Sequence, residues 1–189
     1  MSPPPAPSPI ACRSLLVLGG ARSGKSAFAL SLAEAAAPER LFLATGSAGD
    51  AEMTARIARH RAERGAGWTT LEEPLALAAA LAAEARAGRV VVVDCLTLWL
   101  ANLSFAGRDP VAETARLCAT IGALAGPVVF VSNEVGSGIV PETKLGRDFR
   151  DWQGRLNQDV ARACDGAVLV AAGLPLVLKP APALEFRLR

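Results

Sequence analysis

The chain has 189 residues, of which 51% are hydrophobic and 20% are charged. This length and composition exclude a disordered protein and favour one domain with a core that needs no disulfide or metal. The Lys and Arg residues number 20 against 18 Asp and Glu, so we expect no nucleic-acid partner. No apolar stretch reaches the roughly 18 residues of a membrane span. We therefore predict no membrane span, and the cysteine usage described below predicts a cytoplasmic protein.

The N-terminus differs in composition from the rest of the chain. Five prolines among the first nine residues predict a flexible Pro-rich tail over residues 1–13 and argue against a signal peptide. We place one folded domain at residues 14–180 and a C-terminal tail at 181–189. The widely spaced Cys12, Cys95, Cys118 and Cys164 predict reduced, buried thiols and neither a zinc site nor a disulfide framework.

Short apolar runs alternate with helical patterns along the domain. The four consecutive valines at 90–93 are all β-branched and apolar, which is typical of a central strand covered on both faces of a parallel sheet. The patterns predict strands over 14–18, 41–45, 90–93, 128–132, 167–172 and 176–179, and helices over 25–36, 51–64, 75–87, 96–103, 111–124 and 145–164.

A glycine loop joins the first predicted strand to the first predicted helix and fits the pattern G-x-x-x-x-G-K-S. Such a loop wraps a phosphate with its backbone N–H groups at the positive end of a helix. In this context an accidental match is the weaker interpretation, and we predict an α/β, three-layer P-loop NTPase-type fold with a mainly parallel central sheet. Lys25 would act catalytically on the β and γ oxygens, and Ser26 would hold Mg²⁺. The predicted nucleotide-binding residues of the loop are Gly19, Gly20, Ala21, Arg22, Ser23, Gly24, Lys25 and Ser26.

A second metal ligand is expected at the end of a strand that neighbours the loop. Asp94, directly after the valine run, is the candidate, although an Asp there also fits a cap of the following helix. Asn133 and Glu134 follow the strand predicted at 128–132 and belong to the same sheet edge, where ligands of open α/β sheets collect. Their individual roles stay open.

His60 is the only histidine of the chain. Arg56 and Arg64 lie one helical turn before and after it, so the imidazole is expected to stay uncharged near neutral pH and available as a nucleophile. On these residues alone, the alternative of a solvated surface histidine is favoured.

Five motifs together resemble the bifunctional adenosylcobinamide kinase/adenosylcobinamide-phosphate guanylyltransferase family of cobalamin biosynthesis. They lie at residues 19–26, 50–61, 94–103, 132–142 and 149–158, in family order, and the resemblance runs from about residue 15 to 179. It implies a homotrimer that phosphorylates adenosylcobinamide with ATP or GTP. It further implies transfer of GMP from GTP, through a histidine intermediate, to give adenosylcobinamide-GDP.

By motif position the resemblance makes His60 the guanylylated residue and Mg²⁺ the cofactor. Where some family members have a second histidine, this chain has Arg59. Beyond the glycine loop, the implied GTP contacts are Ala44, Thr45, Gly46, Arg61, Ala62, Glu63, Arg64, Glu72 and Asp94.

Two alternatives to this function stay open at the level of sequence. One is a P-loop small-molecule kinase without the nucleotidyl transfer step, and the other is a non-catalytic, nucleotide-dependent regulator. The role of Glu72 is also open: its carboxylate could read the N1–H and amino group of guanine, or it could be a solvated side chain beside Glu73.

Overall fold

A seven-stranded sheet forms the centre of the fold. A computed structural model of the protein describes residues 10–46, 64, 65 and 67–181. The strands are β1 (Ser14–Gly19), β2 (Glu39–Ala44), β3 (Trp68–Glu72), β4 (Arg89–Asp94), β5 (Val128–Asn133), β6 (Gly166–Ala171) and β7 (Leu174–Lys179). Their order is β3-β2-β4-β5-β1-β6-β7. All neighbours run parallel except β6 and β7, which are antiparallel.

Helices cover both faces of this sheet. The helices of the described ranges are α1 (Lys25–Ala36), α2 (Leu77–Glu84), α3 (Leu96–Phe105), α4 (Pro110–Ile121) and α5 (Lys144–Ala163). Ala29 and Ala33 of α1 join one buried cluster, whereas the buried hydrophobic residues of α2 to α5 join the cluster on the other face. The three-layer α/β architecture predicted from sequence is therefore confirmed.

The valine run of β4 lies in the middle of the sheet, as predicted. Val90 and Val92 belong to the cluster under α1, while Val91 and Val93 belong to the opposite cluster. All four are at most 1% exposed. Because both faces of the strand are buried, all four side chains are removed from water, and the run stabilises both core layers.

Side chains that cap the backbone fix where α4 and α5 begin. Asp109 accepts a hydrogen bond from the N–H of Val111, and Pro110 occupies the first turn, where a missing N–H costs nothing. Thr143 caps α5 by accepting from the N–H of Gly146 at 3.1 Å. The predicted starts at 111 and 145 are each one residue late.

The helix predicted over 75–87 is shorter at both ends than the pattern indicated. The carboxylate of Glu73 accepts from the N–H groups of Leu75 and Ala76, so a turn occupies this stretch, and Ala85 is already extended. Gly88, with φ +82°, belongs to the turn before β4 and does not close the helix. Alanines on both sides of the helix favour helical structure in the sequence pattern, but the helix itself spans only Leu77–Glu84, where Leu77 and Leu81 are buried.

Strand β3 was not predicted, and the last strand begins at Leu174 instead of residue 176. β3 is a short edge strand in which no residue is fully buried, and its partner β2 is distant in sequence. Trp68 packs edge-to-face against Phe42 of β2, with ring centroids 6.4 Å apart. Contacts of this kind are not visible in a local hydrophobic pattern.

The expectations for the helix at 51–64 and for the cysteines can be compared with the structure only in part. The helix predicted over 51–64 lies outside the described residues except for Arg64. All four cysteines are free, as expected, and Cys95 and Cys164 are buried. The prediction of burial is wrong for Cys12, which is exposed, and Cys118 is only half-buried.

Candidate functional site

The loops that follow β1, β2, β4 and β5 meet at the carboxyl edge of the sheet. β1 lies between β5 and β6, and the chain leaves β1 through α1 to reach β2 on the far side of β5 and β4. Open α/β sheets bind ligands at such a reversal of strand order. The glycine loop therefore stands at the position where this fold binds phosphates.

The loop is closely packed against the turn between β6 and β7. A Cβ at Gly19 would lie 2.4 Å from Ser23 Oγ and 2.6 Å from the carbonyl oxygen of Val170, so only glycine fits there. Gly24, with φ +95°, occupies the N-cap of α1 in the left-handed region. The N–H of Gly173 donates to the carbonyl of Ser23 at 2.8 Å. The loop's backbone is thereby held in one shape.

Lys25 and Ser26 open α1, at the positive end of the helix. The ammonium of Lys25 donates to the carbonyl of Gly20 at 3.1 Å and so lies across the loop. Phosphate oxygens are stronger partners for this ammonium than a neutral carbonyl. A bound triphosphate would therefore attract Lys25 away from Gly20.

Asp94 ends β4, but β4 is not adjacent to β1, because β5 lies between them. The expectation of a directly neighbouring strand is therefore wrong. Asp94 precedes Cys95, which is the N-cap of α3. The pKa of the Cys95 thiol is raised to about 11, mainly by burial and also by the charge of Asp94, while backbone hydrogen bonds at the start of α3 and the charge of Lys25 lower it. Lys25 and Asp94 thus both lie within electrostatic reach of one buried thiol.

Oxygen donors for a Mg²⁺ ion are present at this edge of the sheet. Within the described ranges, no three His, Cys, Asp or Glu side chains are grouped for a metal. A Mg²⁺ that is bound mainly through substrate phosphates needs only one or two protein oxygens. The hydroxyl of Ser26 and the carboxylate of Asp94 are oxygen donors of the type that Mg²⁺ prefers, so the residues fit such an ion.

The three predicted contacts at the end of β2, Ala44, Thr45 and Gly46, have different environments. Thr45 is fully buried, and its hydroxyl donates to the carbonyl of Cys95 at 2.7 Å and accepts from the Cys95 N–H at 2.9 Å. Its side chain therefore joins β2 to β4. Ala44 ends β2 beside Asp94 in register, and a Cβ at Gly46 would come within 3.1 Å of the Leu98 side chain.

Glu72 ends the edge strand β3, opposite Ala44 in register. It is exposed, and within the described part of the chain its carboxylate has no hydrogen-bond or ion-pair partner. The adjacent Glu73 instead folds back onto the N–H groups of the following turn. The two neighbouring glutamates therefore have different environments, and Glu72 is the one available to a ligand.

Arg64 is 8% exposed and packs against the sheet. Its guanidinium lies 3.6 Å from the ring centroid of Phe42 and donates to Thr70 Oγ1 at 3.3 Å. This arrangement is a cation–π contact supported by a hydrogen bond. The other residues predicted on this segment, His60, Arg61, Ala62 and Glu63, lie outside the described residues.

Two amide side chains from the motif at 149–158, to which the sequence assigned no individual role, lie behind this edge. Gln153 and Asn157, four residues apart on α5, are buried and bonded to Ser132 of β5. The sequence indicates them only in one way: the two amides share a face of the helix with the apolar Leu156 and Val160.

None of the helices described is long and apolar enough to cross a membrane.

Comparison with known proteins decides the family. The family described as "Cobinamide kinase / cobinamide phosphate guanyltransferase" has a sequence model that matches residues 15–178. The chain belongs to this family. The Pseudomonas aeruginosa protein named "Bifunctional adenosylcobalamin biosynthesis protein CobP" is 50% identical over 170 residues, which cover 88% of this chain and 98% of the relative. The Escherichia coli protein named "Bifunctional adenosylcobalamin biosynthesis protein CobU" is 38% identical over 180 residues, with 87% and 99% covered.

Solved structures agree on the architecture of this family member. The RadB recombinase matches with a TM-score of 0.51 at 15% identity, covering 82% of this chain and 73% of that chain. The type III secretion ATPase EscN of enteropathogenic E. coli matches with a TM-score of 0.54 at 13% identity, covering 85% and 43%. At such identities the likeness concerns the fold alone, and the P-loop NTPase-type fold predicted from sequence is confirmed.

Proposed function

We propose that this protein is a bifunctional enzyme of cobalamin biosynthesis that phosphorylates adenosylcobinamide and then transfers GMP to the new phosphate. The observation that carries the proposal is an intact glycine loop at the reversal of strand order, in a chain that matches this family over residues 15–178. Its relatives are named as bifunctional proteins of adenosylcobalamin biosynthesis.

The first step is phosphoryl transfer from ATP or GTP. The acceptor's hydroxyl oxygen forms a bond to the γ-phosphorus, the bond to the β-phosphate oxygen breaks, and the hydroxyl proton is released. The loop N–H groups and the N-terminus of α1 hold the phosphates in line, and Lys25 offsets their charge. Ser26 and Asp94 would hold Mg²⁺, which supplies further charge neutralisation when bound.

The second step is guanylyl transfer through His60. An imidazole nitrogen bonds to the α-phosphorus of GTP while the bond to the β-phosphate oxygen breaks and pyrophosphate leaves. A phosphate oxygen of the phosphorylated corrinoid then attacks the same phosphorus, the P–N bond breaks, and His60 is restored. The displacement at the triphosphate is thus made by a neutral nitrogen, and the anionic corrinoid phosphate attacks a phosphorus that carries less negative charge than GTP does. Arg61 and Arg64 are the proposed cationic partners of the triphosphate.

The function is tested on the purified wild-type protein with adenosylcobinamide. With γ-labelled ATP or GTP, label is expected in adenosylcobinamide phosphate, and with α-labelled GTP it is expected in adenosylcobinamide-GDP. Formation of adenosylcobinamide phosphate without adenosylcobinamide-GDP would indicate a kinase that lacks the transferase activity. A protein that binds nucleotide but turns none over in the presence of the corrinoid would contradict both steps.

Glu72 is proposed to read guanine. It lies four strands from the loop, roughly 19 Å at a spacing of about 4.8 Å, so a nucleotide must extend along the sheet edge to reach both. Its carboxylate can accept from the N1–H and the amino group together, whereas an amide replaces one of those acceptors with a donor.

Glu72→Gln is therefore expected to raise the KM for GTP in guanylyl transfer about 10- to 100-fold, from the loss of charge-assisted hydrogen bonds. Phosphorylation with ATP should stay within about twofold of wild type. The matched control is Glu73→Gln, which keeps an amide oxygen for its turn. Equal effects of the two substitutions on GTP would argue against base recognition by Glu72.

Homotrimeric assembly is proposed to use the edge strand β7. Leu174, Leu176, Val177 and Leu178 are between 39% and 72% exposed there. An unpaired strand edge with apolar side chains is a surface that another copy of the chain can cover.

Replacing both Leu174 and Leu176 with Glu should convert a particle of three 19.5 kDa chains into a monomer, measured by light scattering after size exclusion. The control is Val111→Glu, because Val111 is also exposed, at 61%, but lies on α4. A trimer that survives the β7 substitutions and dissociates with Val111→Glu would place the interface elsewhere.

A further inference from the structure

The end of β5 is held by side chains from two helices. The N–H of Asn133 donates to Thr97 Oγ1 of α3 at 2.9 Å, and its carbonyl accepts from Asn157 Nδ2 of α5 at 3.0 Å. The neighbouring strand β4 ends at Asp94, which pairs with Val131, so it does not extend to the level of Asn133. Side chains thus replace the missing strand partner at this one residue.

Behind Asn133 the hydrogen bonds continue into the core. Asn157 Oδ1 accepts from Ser132 Oγ at 2.6 Å and from Gln153 Nε2 at 2.9 Å, and Gln153 Nε2 also donates to Ser132 Oγ at 2.9 Å. Ser132 and Gln153 are fully buried, and Asn157 is 6% exposed. Within the described ranges, Gln153 Oε1 is buried without a partner.

Stability alone does not explain this arrangement. A buried polar group costs free energy unless it is fully paired, and hydrophobic side chains of similar size are often at least as stabilising in its place. The neighbours of these amides on α5, Leu156 and Val160, are fully buried hydrophobic residues. What the polar residues provide is a fixed position for Asn133.

The side chain of Asn133 lies at the phosphate site. Asn133 pairs in register with Gly19, and the next residue, Glu134, donates its N–H to the Gly19 carbonyl at 3.1 Å. By strand alternation its side chain shares a face with Val131, in the cluster beneath α1, and Asp94 is on the same face of β4. In the part of the chain described, its amide makes no hydrogen bond. The side-chain amide of Asn133, without a partner among the described residues, is therefore placed by strand order between the glycine loop and Asp94, on a backbone that is held at both its N–H and its carbonyl.

We propose that the Asn133 amide donates a hydrogen bond to the γ-phosphoryl group during its transfer, and that Gln153, Asn157 and Thr97 are positioning residues for it. This inference rests on the proposed phosphorylation step. The amide exchanges no proton. Its N–H dipole faces the phosphoryl oxygens, whose charge changes in the transition state, so the protein need not reorganise to stabilise that charge.

The test is Asn133→Ala, with Gln158→Ala as the control, because Gln158 is an exposed amide on α5. Asn133→Ala should lower kcat for cobinamide phosphorylation about 10²- to 10³-fold while the KM for nucleotide changes less than about threefold. The second readout needs no acceptor: binding of a nucleoside diphosphate alone, and of the diphosphate with aluminium fluoride as a phosphoryl mimic. The variant should bind the diphosphate as wild type does and the fluoride complex at least about 10-fold more weakly.

The positioning role is tested by Gln153→Leu, which removes the unpaired oxygen and leaves Ser132 as a donor to Asn157. We expect an unchanged or higher melting temperature together with a kcat about 10-fold lower. In the Asn133→Ala background the same substitution should change kcat less than about twofold, because the positioned group is already gone. Thr97→Val tests the same role from α3 should Gln153→Leu fail to fold.

Two results would overturn the inference. If Asn133→Ala keeps wild-type affinity for the fluoride complex, the amide does not contact the phosphoryl group. If Gln153→Leu and Thr97→Val lower kcat equally with or without Asn133, their role is structural. A wild-type protein that does not phosphorylate cobinamide would contradict the proposed function, whereas the fluoride-complex measurement would still decide the contact made by Asn133.

Discussion

His60→Ala is expected to abolish guanylyl transfer and to leave phosphorylation of adenosylcobinamide within about threefold of wild type. Alanine has no nitrogen that can hold GMP, whereas the loop residues that carry the first step are untouched. The measurement is incubation with α-labelled GTP, which should leave an acid-labile, alkali-stable label on wild type and none on the variant. Formation of adenosylcobinamide-GDP should fall at least about 10³-fold.

The phosphorylation step is the internal control for this variant, because a misfolded protein would lose both activities together. Since His60 is the only histidine of the chain, no other imidazole can substitute for it. A fully labelled His60→Ala protein would exclude the proposed intermediate. Wild-type protein without label, but with adenosylcobinamide-GDP as a product, would indicate direct transfer between the two phosphates.

Lys25→Ala is expected to reduce both steps, in contrast to His60→Ala. The ammonium at the start of α1 is the described cation that lies across the glycine loop. Losing one charged donor to a transferring phosphate costs about 10²- to 10³-fold in kcat, and the KM for both ATP and GTP should rise. Steady-state kinetics of each step, with the γ-label and the α-label in parallel, measure the two losses.

The matched control is Lys144→Ala. Lys144 is exposed on α5 and pairs with Asp148 one helical turn away, and exposed pairs of this kind contribute little to stability. It should leave both activities unchanged. If Lys25→Ala impaired only one step, the two reactions would use different phosphate sites, and the shared-loop mechanism would be wrong.

The parts of the fold that follow from local chemistry could be predicted from the sequence. The valines at 90–93 require burial on both faces, and the two glycines at the ends of the loop are needed where a Cβ would collide with Ser23 or where the backbone is left-handed. Each of these residues acts through neighbours only a few positions away in the chain, so the strand, the loop and the start of α1 are visible in a local pattern.

The parts of the fold that depend on residues distant in sequence could not be predicted. Strand β3 exists because Trp68 packs on Phe42 of β2, and the insertion of β5 between β1 and β4 is a matter of strand order. The same insertion gives Asn133 its place beside Gly19. A sequence pattern shows that Asn133 belongs to the carboxyl edge, but not which residue it faces there.

The turn that braces the glycine loop also belongs to the hairpin that ends in β7. Its N–H at Gly173 touches the loop directly, while the strand that follows it carries the apolar edge. A copy of the chain seated on that edge would stiffen the turn and so hold the loop in its phosphate-binding shape. By thermodynamic linkage, bound triphosphate would then strengthen association between copies by the same factor. Nucleotide would consequently bind more weakly, with a larger dissociation constant, to dilute protein than to concentrated protein.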